Sequence, residues 1–353
     1  MSSQDSGHLR VLSIGAGAIG TYIGGSLALN GSPVTFIEQP GAAEELRQTG
    51  LRLKLGDQEH CIPSPRVASS PEEALQHGPY DVGIFALKSF DTLSAAKTLS
   101  PYHEHLPPIL CLQNGVENEA VLAELLGEDK VIPGTLTSAV GRRGVGNIQL
   151  ERKRGLGVAA SHPLARQLAE ALDSAGLNAR LYSRATDMKW SKMLTNLLGN
   201  ATSAILDMSP TEIFSNPALC SLEIEQIREA LRVMDAQNIT TVDLPGTPVR
   251  ALTFSVRRLP LSLTRLVLIK GAGSGRGGKM PSFHIDLHAG RGQTEVDFLN
   301  GAVVRFGERL SIPTPVNRLL NQTLQDLATG RQPLETYQRN PEALLRKLRK
   351  QNG

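Results

Sequence analysis

Lys192, Asn196 and Asn200 recur at intervals of four within the run Trp190-Ser191-Lys192-Met193-Leu194-Thr195-Asn196-Leu197-Leu198-Gly199-Asn200. In a helix, residues at i, i+4 and i+8 lie on one stripe of the surface. One ammonium and two carboxamides would then project together from an otherwise apolar stretch of Met193, Leu194, Leu197 and Leu198. Such a stripe can hold a polar substrate and give it a proton. The other chemistry-bearing run is Gly15-Ala16-Gly17-Ala18-Ile19-Gly20, near the start of the chain. It has the spacing of a dinucleotide-binding loop.

The elements that must position these residues follow from pattern. Residues 9–14 read as a strand that leads into the glycine run. A helical pattern through Tyr22, Ile23, Leu27 and Leu29 stops at Asn30-Gly31, and a second strand, 33–37, ends in Glu38. Strand, Gly-x-Gly-x-x-Gly, helix, strand, acid is the order of a dinucleotide site. Gly15 permits the tight turn, Gly17 lets backbone approach a pyrophosphate, and Gly20 lets helix and strand pack closely. The helix start offers free N–H groups and a positive dipole end to the phosphates. Residues 80–87 and 109–112 read as further strands that deliver Lys88 and Gln113-Asn114-Gly115 at their carboxyl ends, where open parallel sheets bind ligands. A strand beginning at 131, an antiparallel hairpin around 147–154, a helix over 163–175 and a strand over 179–182 close this half.

From residue 185 the texture changes to long helical patterns, the first over 188–206 and the second over 217–237. The expected fold is an α/β N-terminal Rossmann domain, 1–183, with a doubly wound, mostly parallel sheet, followed by an all-α domain, 184–353. Gly271-Ala272-Gly273-Ser274-Gly275-Arg276-Gly277-Gly278-Lys279 reads as a mobile loop, since it lacks the order of a phosphate-binding P-loop. Further on, Thr294 is placed to cap a helix that carries Glu295 in its first turn.

Composition narrows the function classes. Aromatic residues make up only 4%, too few for base-stacking platforms, and the net charge of +3 is concentrated in the last fifteen residues, so nucleic acid is not an expected partner. The run at 259–269 is short and contains Arg265, so no membrane span is expected. Cys61, Cys111 and Cys220 are far apart with no C-x-x-C spacing, which argues against a disulfide framework or a zinc site; no metal is expected. The polar start, without a signal-peptide pattern, points to the cytoplasm.

The motifs together resemble the ketopantoate reductase (2-dehydropantoate 2-reductase) family. The likeness runs from about Val11 to Leu327 and rests on Gly15 to Gly20, Lys88, Gln113-Asn114-Gly115, the Trp-x-Lys-x-x-x-Asn-x-x-x-Asn run, Ser282 with Asp286 and Thr294-Glu295-Val296-Asp297, and Pro313-Thr314-Pro315. The resemblance implies NAD(P)H-dependent reduction of 2-dehydropantoate to (R)-pantoate in pantothenate biosynthesis, with Lys192 as proton donor. It implies that Asn196, Asn200 and Ser282 bind substrate, and that Asn114 contacts nicotinamide ribose and substrate. It also puts Glu295 near cofactor and substrate, has Ala139 line the cofactor through its backbone, and makes a homodimer possible. Three features depart from the family pattern, one of them a long, basic segment over 243–279. Pro210 falls near a position where some members place a polar residue, and Gly292-Gln293 lengthens the approach to Glu295.

Two features pull the cofactor choice in opposite directions. The resemblance favours NADPH, held by a basic residue after the second strand. Glu38 stands at that position here, and a carboxylate there bonds the ribose 2′-hydroxyl of NADH and repels a 2′-phosphate. Two other functions compete: a D-2-hydroxyacid dehydrogenase of the same superfamily acting on other branched or aromatic 2-oxo acids, and a nucleotide-binding protein without turnover.

Overall fold

Apolar residues in the first half alternate between two faces, and the sheet they build is covered on both. The strands are β1 (Val11–Ile14), β2 (Val34–Ile37), β3 (Leu51–Leu55), β4 (Gln58–Ile62), β5 (Arg66–Ala68), β6 (Val82–Phe85), β7 (Ile109–Cys111), β8 (Val131–Leu136), β9 (Ala139–Gly144), β10 (Asn147–Arg152), β11 (Leu156–Ala159) and β12 (Ala179–Tyr182). Eight form one sheet in the order β12-β11-β8-β7-β6-β1-β2-β5. All its pairings are parallel except β8 with β11. Val11, Ile84 and Leu110 point into one apolar cluster with Ile23, Leu27 and Phe36. Their chain neighbours Leu12, Phe85 and Ile109 point into a second cluster with Leu122 and Leu126. The period of two along each strand thus gives a doubly wound layer with helices on both faces.

The computed structural model describes residues 8–276 and 280–351. They fall into two units, Met1–Lys189 with Leu244–Thr247, and Trp190–Asp243 with Pro248–Gly353. The first unit extends past the change of texture at 183, because the first turns of the helix Ala185–Leu197 belong to it. It also contains a second sheet, in the order β4-β3-β10-β9: the stretch expected as a hairpin around 147–154 supplies a single strand, β10, which pairs antiparallel with β9 before it, and the hairpin β3–β4 joins them. Among the described residues of the second unit the regular elements are all helices. Its longest helix, Pro217–Ala236, starts with proline in the first turn behind the Asn216 cap, whose Oδ1 accepts from the N–H groups of Ala218 and Leu219 at 3.0 and 3.2 Å. Among the described residues, no helix is long and apolar enough to cross a membrane.

Two expectations are corrected. The glycine-rich run is not a loop as far as Arg276, because the helix Leu261–Arg276 continues through Gly271, Gly273 and Gly275. Each glycine lowers helix stability by about 1 kcal/mol without forbidding the helix, and no proline interrupts. The rest of that expected loop, residues 277–279, lies outside the described residues. Nor is 188–206 one helix: Ala185–Leu197 ends, Gly199 takes φ +60, and Ala201–Leu206 starts anew.

Candidate active site

In the first unit the carboxyl ends of four adjacent strands carry the expected residues. Gly15 follows β1 with φ +94, and its N–H donates to Ile37 O at 2.9 Å, which ties the turn to the end of β2. A Cβ on Gly20 would lie 2.0 Å from Gly15 O, so only glycine lets the helix Ala18–Leu29 approach the loop this closely. Nothing lies within 4 Å of where a Cβ on Gly17 would point, leaving room there for a bound group against bare backbone. No side chain caps the N–H groups of this helix, so those donors and its positive dipole end can serve an anion. Glu38 follows β2; its carboxylate accepts from the N–H of Ala16 through Oε1 and from Gln39 N through Oε2, the latter at 3.2 Å. A carboxylate is therefore held against the glycine loop, and the whole set fits a dinucleotide with its pyrophosphate on the loop. Sheet order reverses at β1, between β2 and β6, which is where open α/β sheets bind their ligands.

Lys88 and Asn114 follow β6 and β7 and are joined by a buried polar network. Gln113 Nε2 donates to the carbonyls of Leu87 and Lys88, at 3.1 and 3.2 Å, and to Thr92 Oγ1 at 2.8 Å. Thr92 Oγ1 contacts Asn118 Oδ1 at 2.9 Å, while Asn118 Nδ2 and Ser89 Oγ both donate to Asn114 O, at 2.6 and 3.0 Å. Beneath this network lies Lys189, fully enclosed. Its ammonium is 2.6 Å from Glu119 Oε1 and donates to Gln113 O at 2.7 Å and Gly134 O at 3.2 Å. Burial is the largest influence on this lysine and lowers its pKa, but the charge and hydrogen bond of Glu119 act against it, and the net shift is upward. The same burial pushes the Cys111 thiol well up, so it stays protonated. Ala139 opens β9, three residues beyond the end of β8.

In the second unit the helical stripe holds for one step only. Lys192 and Asn196 lie one turn apart on Ala185–Leu197, both partly exposed. Asn200 is carried past the break at Gly199 and reaches back: its Nδ2 donates to Asn196 O at 3.0 Å and to Ser282 Oγ at 3.4 Å. Its Oδ1 accepts from Phe283 N at 3.1 Å, at the start of the helix Ser282–His288. The break itself is held by Glu223 on Pro217–Ala236, whose carboxylate accepts from Gly199 N at 2.7 Å and from the Thr202 hydroxyl. Glu295, expected in the first turn of a helix, is instead buried one residue before the helical run that begins at Val296, and the residues that follow, Asp297–Gly301, are π-wound. Thr294 Oγ1 accepts from Val296 N at 3.4 Å, the expected capping side chain at the limit of hydrogen-bond length.

Comparison with known proteins bears on the same two halves. The family model described as ketopantoate reductase PanE/ApbA matches residues 11–161, and its C-terminal counterpart matches 184–328. The chain belongs to the ketopantoate reductase family. The 2-dehydropantoate 2-reductase of Halobacterium salinarum is 29% identical over 321 residues, covering 88% of this chain and 96% of that protein. That of Streptococcus pyogenes serotype M6 is 26% identical over 313 residues, covering 87% and 94%. The crystal structure of a PanE/ApbA family ketopantoate reductase from Ralstonia eutropha JMP134 superposes with a TM-score of 0.77 at 26% identity, covering 91% of this chain and 99% of that one. D-Mandelate dehydrogenase bound to NADH and anilino(oxo)acetate shares the fold, with a TM-score of 0.75 at 21% identity and coverage of 91% and 99%. As a member of the family, the chain is an NAD(P)H-dependent oxidoreductase that acts on a small molecule.

Lys189, Glu119 and Glu223 escaped the sequence reading. Glu223, Gln226 and Glu229 did leave a signal, polar residues three apart inside the apolar stripe of Leu219, Leu222, Ile227 and Ala230, but nothing local names their partners.

Proposed function

We propose that this family member reduces 2-dehydropantoate to (R)-pantoate, a step of pantothenate biosynthesis, with NADH as the preferred donor. The observation that carries the substrate half is the Asn200 carboxamide. One side chain gathers the Asn196 carbonyl, the Ser282 hydroxyl and the Phe283 N–H into a single polar cluster. In this reading Asn196, Asn200 and Ser282 hold the polar groups of the 2-oxo acid. Lys192, one helical turn before Asn196, faces the ketone oxygen as a cation, stabilises the developing alkoxide and gives up its proton. Bound NAD(P)H supplies the hydride. The Gly15–Gly20 loop seats its pyrophosphate, Lys88 and Ala139 line it, and Asn114 binds the nicotinamide ribose and the substrate. Glu295 orients cofactor and ammonium. Glu38, held against the glycine loop, supports NADH over NADPH.

The test is oxidation of NADH and of NADPH by the purified protein with 2-dehydropantoate, beside bulkier branched and aromatic 2-oxo acids. Turnover of 2-dehydropantoate, faster with NADH, is the expected result. A second reading, a D-2-hydroxyacid dehydrogenase for other 2-oxo acids, draws on Pro210, which opens the helix Pro210–Ser215 where some relatives offer a polar side chain. Activity confined to the bulkier acids would select it. No turnover with any pair would overturn both readings.

A further inference from the structure

His284 and His288 lie one turn apart on the helix Ser282–His288, on the same face, with ring centroids 4.1 Å apart. Facing them is Asp207, which ends the helix Ala201–Leu206 in the left-handed conformation, φ +50. Its Oδ1 is 2.7 Å from His284 Nε2 and 3.9 Å from His288 Nε2, and one ligand atom from each residue lies within 4.8 Å of the others. The second carboxylate oxygen is already oriented, accepting from Gln338 Nε2 at 3.0 Å. None of these four residues belongs to the proposed catalytic set.

We propose that Asp207, His284 and His288 form a binding site for a divalent transition-metal ion of the zinc type. Two imidazoles at i and i+4 with one carboxylate form a recognised donor set for Zn²⁺, and Gln338 supplies the outer hydrogen bond that fixes the carboxylate. Tetrahedral bonds of about 2.0–2.1 Å put donor atoms roughly 3.3 Å apart. The 2.7 Å pair must open and the 3.9 Å pair must close, each by a shift within side-chain reach. The fourth position falls to water, since His288 and Asp207 are about one-third exposed. Nitrogen donors select zinc-like ions over Mg²⁺, which takes oxygen ligands. The ion joins the end of one helix to the helix that starts with Ser282, so the site clamps the segment on which Asn200 and Ser282 sit. The expectation of no metal rested on cysteine spacing, which bears on thiolate sites alone, and passed over the His-x-x-x-His spacing of His284 and His288.

Titration of untagged, chelator-treated protein with ZnCl₂ by calorimetry tests this, with Co²⁺ absorbance reporting geometry and MgCl₂ as contrast. Expected are a single equivalent of Zn²⁺ bound, tetrahedral Co²⁺ bands, no response to Mg²⁺ and a higher melting temperature with Zn²⁺. Losing even an outer partner typically weakens a metal site by ~10–100-fold, so His288→Ala and Asp207→Asn should each cost at least that. Asparagine tolerates the left-handed backbone at 207, and His288 is partly exposed, so both variants should fold. Absence of stoichiometric binding, or affinity unchanged in both variants, would overturn the site.

Discussion

Lys192 is where the proposed chemistry is most exposed to test. If its proton goes to the ketone oxygen, Lys192→Ala should lower kcat by ~100-fold or more, the usual scale for an acid–base group, with a smaller change in KM. Turnover close to wild type would remove this lysine from the mechanism. Glu38 decides the cofactor in the same reading. Glu38→Gln keeps an acceptor for the Ala16 N–H but removes the charge that opposes a 2′-phosphate. Like charges brought together cost several kcal/mol, so the NADPH-to-NADH ratio of kcat/KM should rise by about 10-fold or more. An unchanged ratio would mean that Glu38 does not read the ribose. Both residues were legible because their neighbours announce them: Glu38 by the strand and glycine loop around it, Lys192 by the tryptophan and asparagines at fixed spacing. Lys189 was not, since nothing near it in sequence shows that Glu119 and the carbonyls of Gln113 and Gly134 enclose it.

At the scale of elements, the turn at Gly199 separates what the sequence pattern suggested from what folds. An apolar run with asparagines every four residues reads as one unbroken helix, and an internal glycine alone does not contradict it. The deciding group is the Glu223 carboxylate, 24 residues along the chain, which takes the Gly199 N–H. Gly199→Ala should cost ~1–2 kcal/mol for the left-handed backbone and raise KM for the 2-oxo acid while leaving KM for the cofactor in place. Unchanged melting and KM would show that the turn is not needed. The enclosed Lys189 makes a second prediction. Lys189→Met strands Glu119 and should cost ~3–5 kcal/mol in urea unfolding, most of it recovered in the Lys189→Met, Glu119→Gln double variant. The raised folded pKa keeps the lysine's contribution complete below the unfolded value of ~10.4, and it is lost only as pH climbs through the folded one. The gap between wild type and Lys189→Met should therefore hold steady from roughly pH 7 to pH 9.

Over the whole molecule, the two architectures were readable because short, nearly continuous apolar runs mark strands buried on both faces, as in Val82–Phe85, while longer patterns near period 3.6 mark the helices. The small sheet was only half readable: its hairpins are local, but β3 pairs with β10 through Arg52 and Asn147, a partnership no window of sequence contains. Each unit also carries a capping carboxylate held below its usual pKa, Glu73 chiefly by the Ser69 N–H and Glu212 chiefly by the Ser209 N–H. Stability from a depressed carboxylate is present above its unfolded pKa of ~4.3 and is lost as pH falls through the folded value. The melting temperature of wild type should thus exceed that of a Glu73→Gln, Glu212→Gln variant at neutral pH, with the difference closing below about pH 4. A difference that persists in acid would assign the loss to geometry instead of charge. The helical unit has a further property rooted in its buried carboxylates. Glu223 takes the Gly199 N–H and Glu229 takes those of Val316 and Asn317 at 2.8 and 2.9 Å; Gln226 Nε2 donates to Glu223, Asn300 Nδ2 to Gln226 and Asn317, and Asn317 Nδ2 to Glu229, which links the two carboxylates. Water reaches these amides only if the helices around them separate together. In deuterium exchange, Gly199, Val316 and Asn317 should behave like the deepest helical amides, although they sit at a turn and at a helix start, where exchange is ordinarily fast.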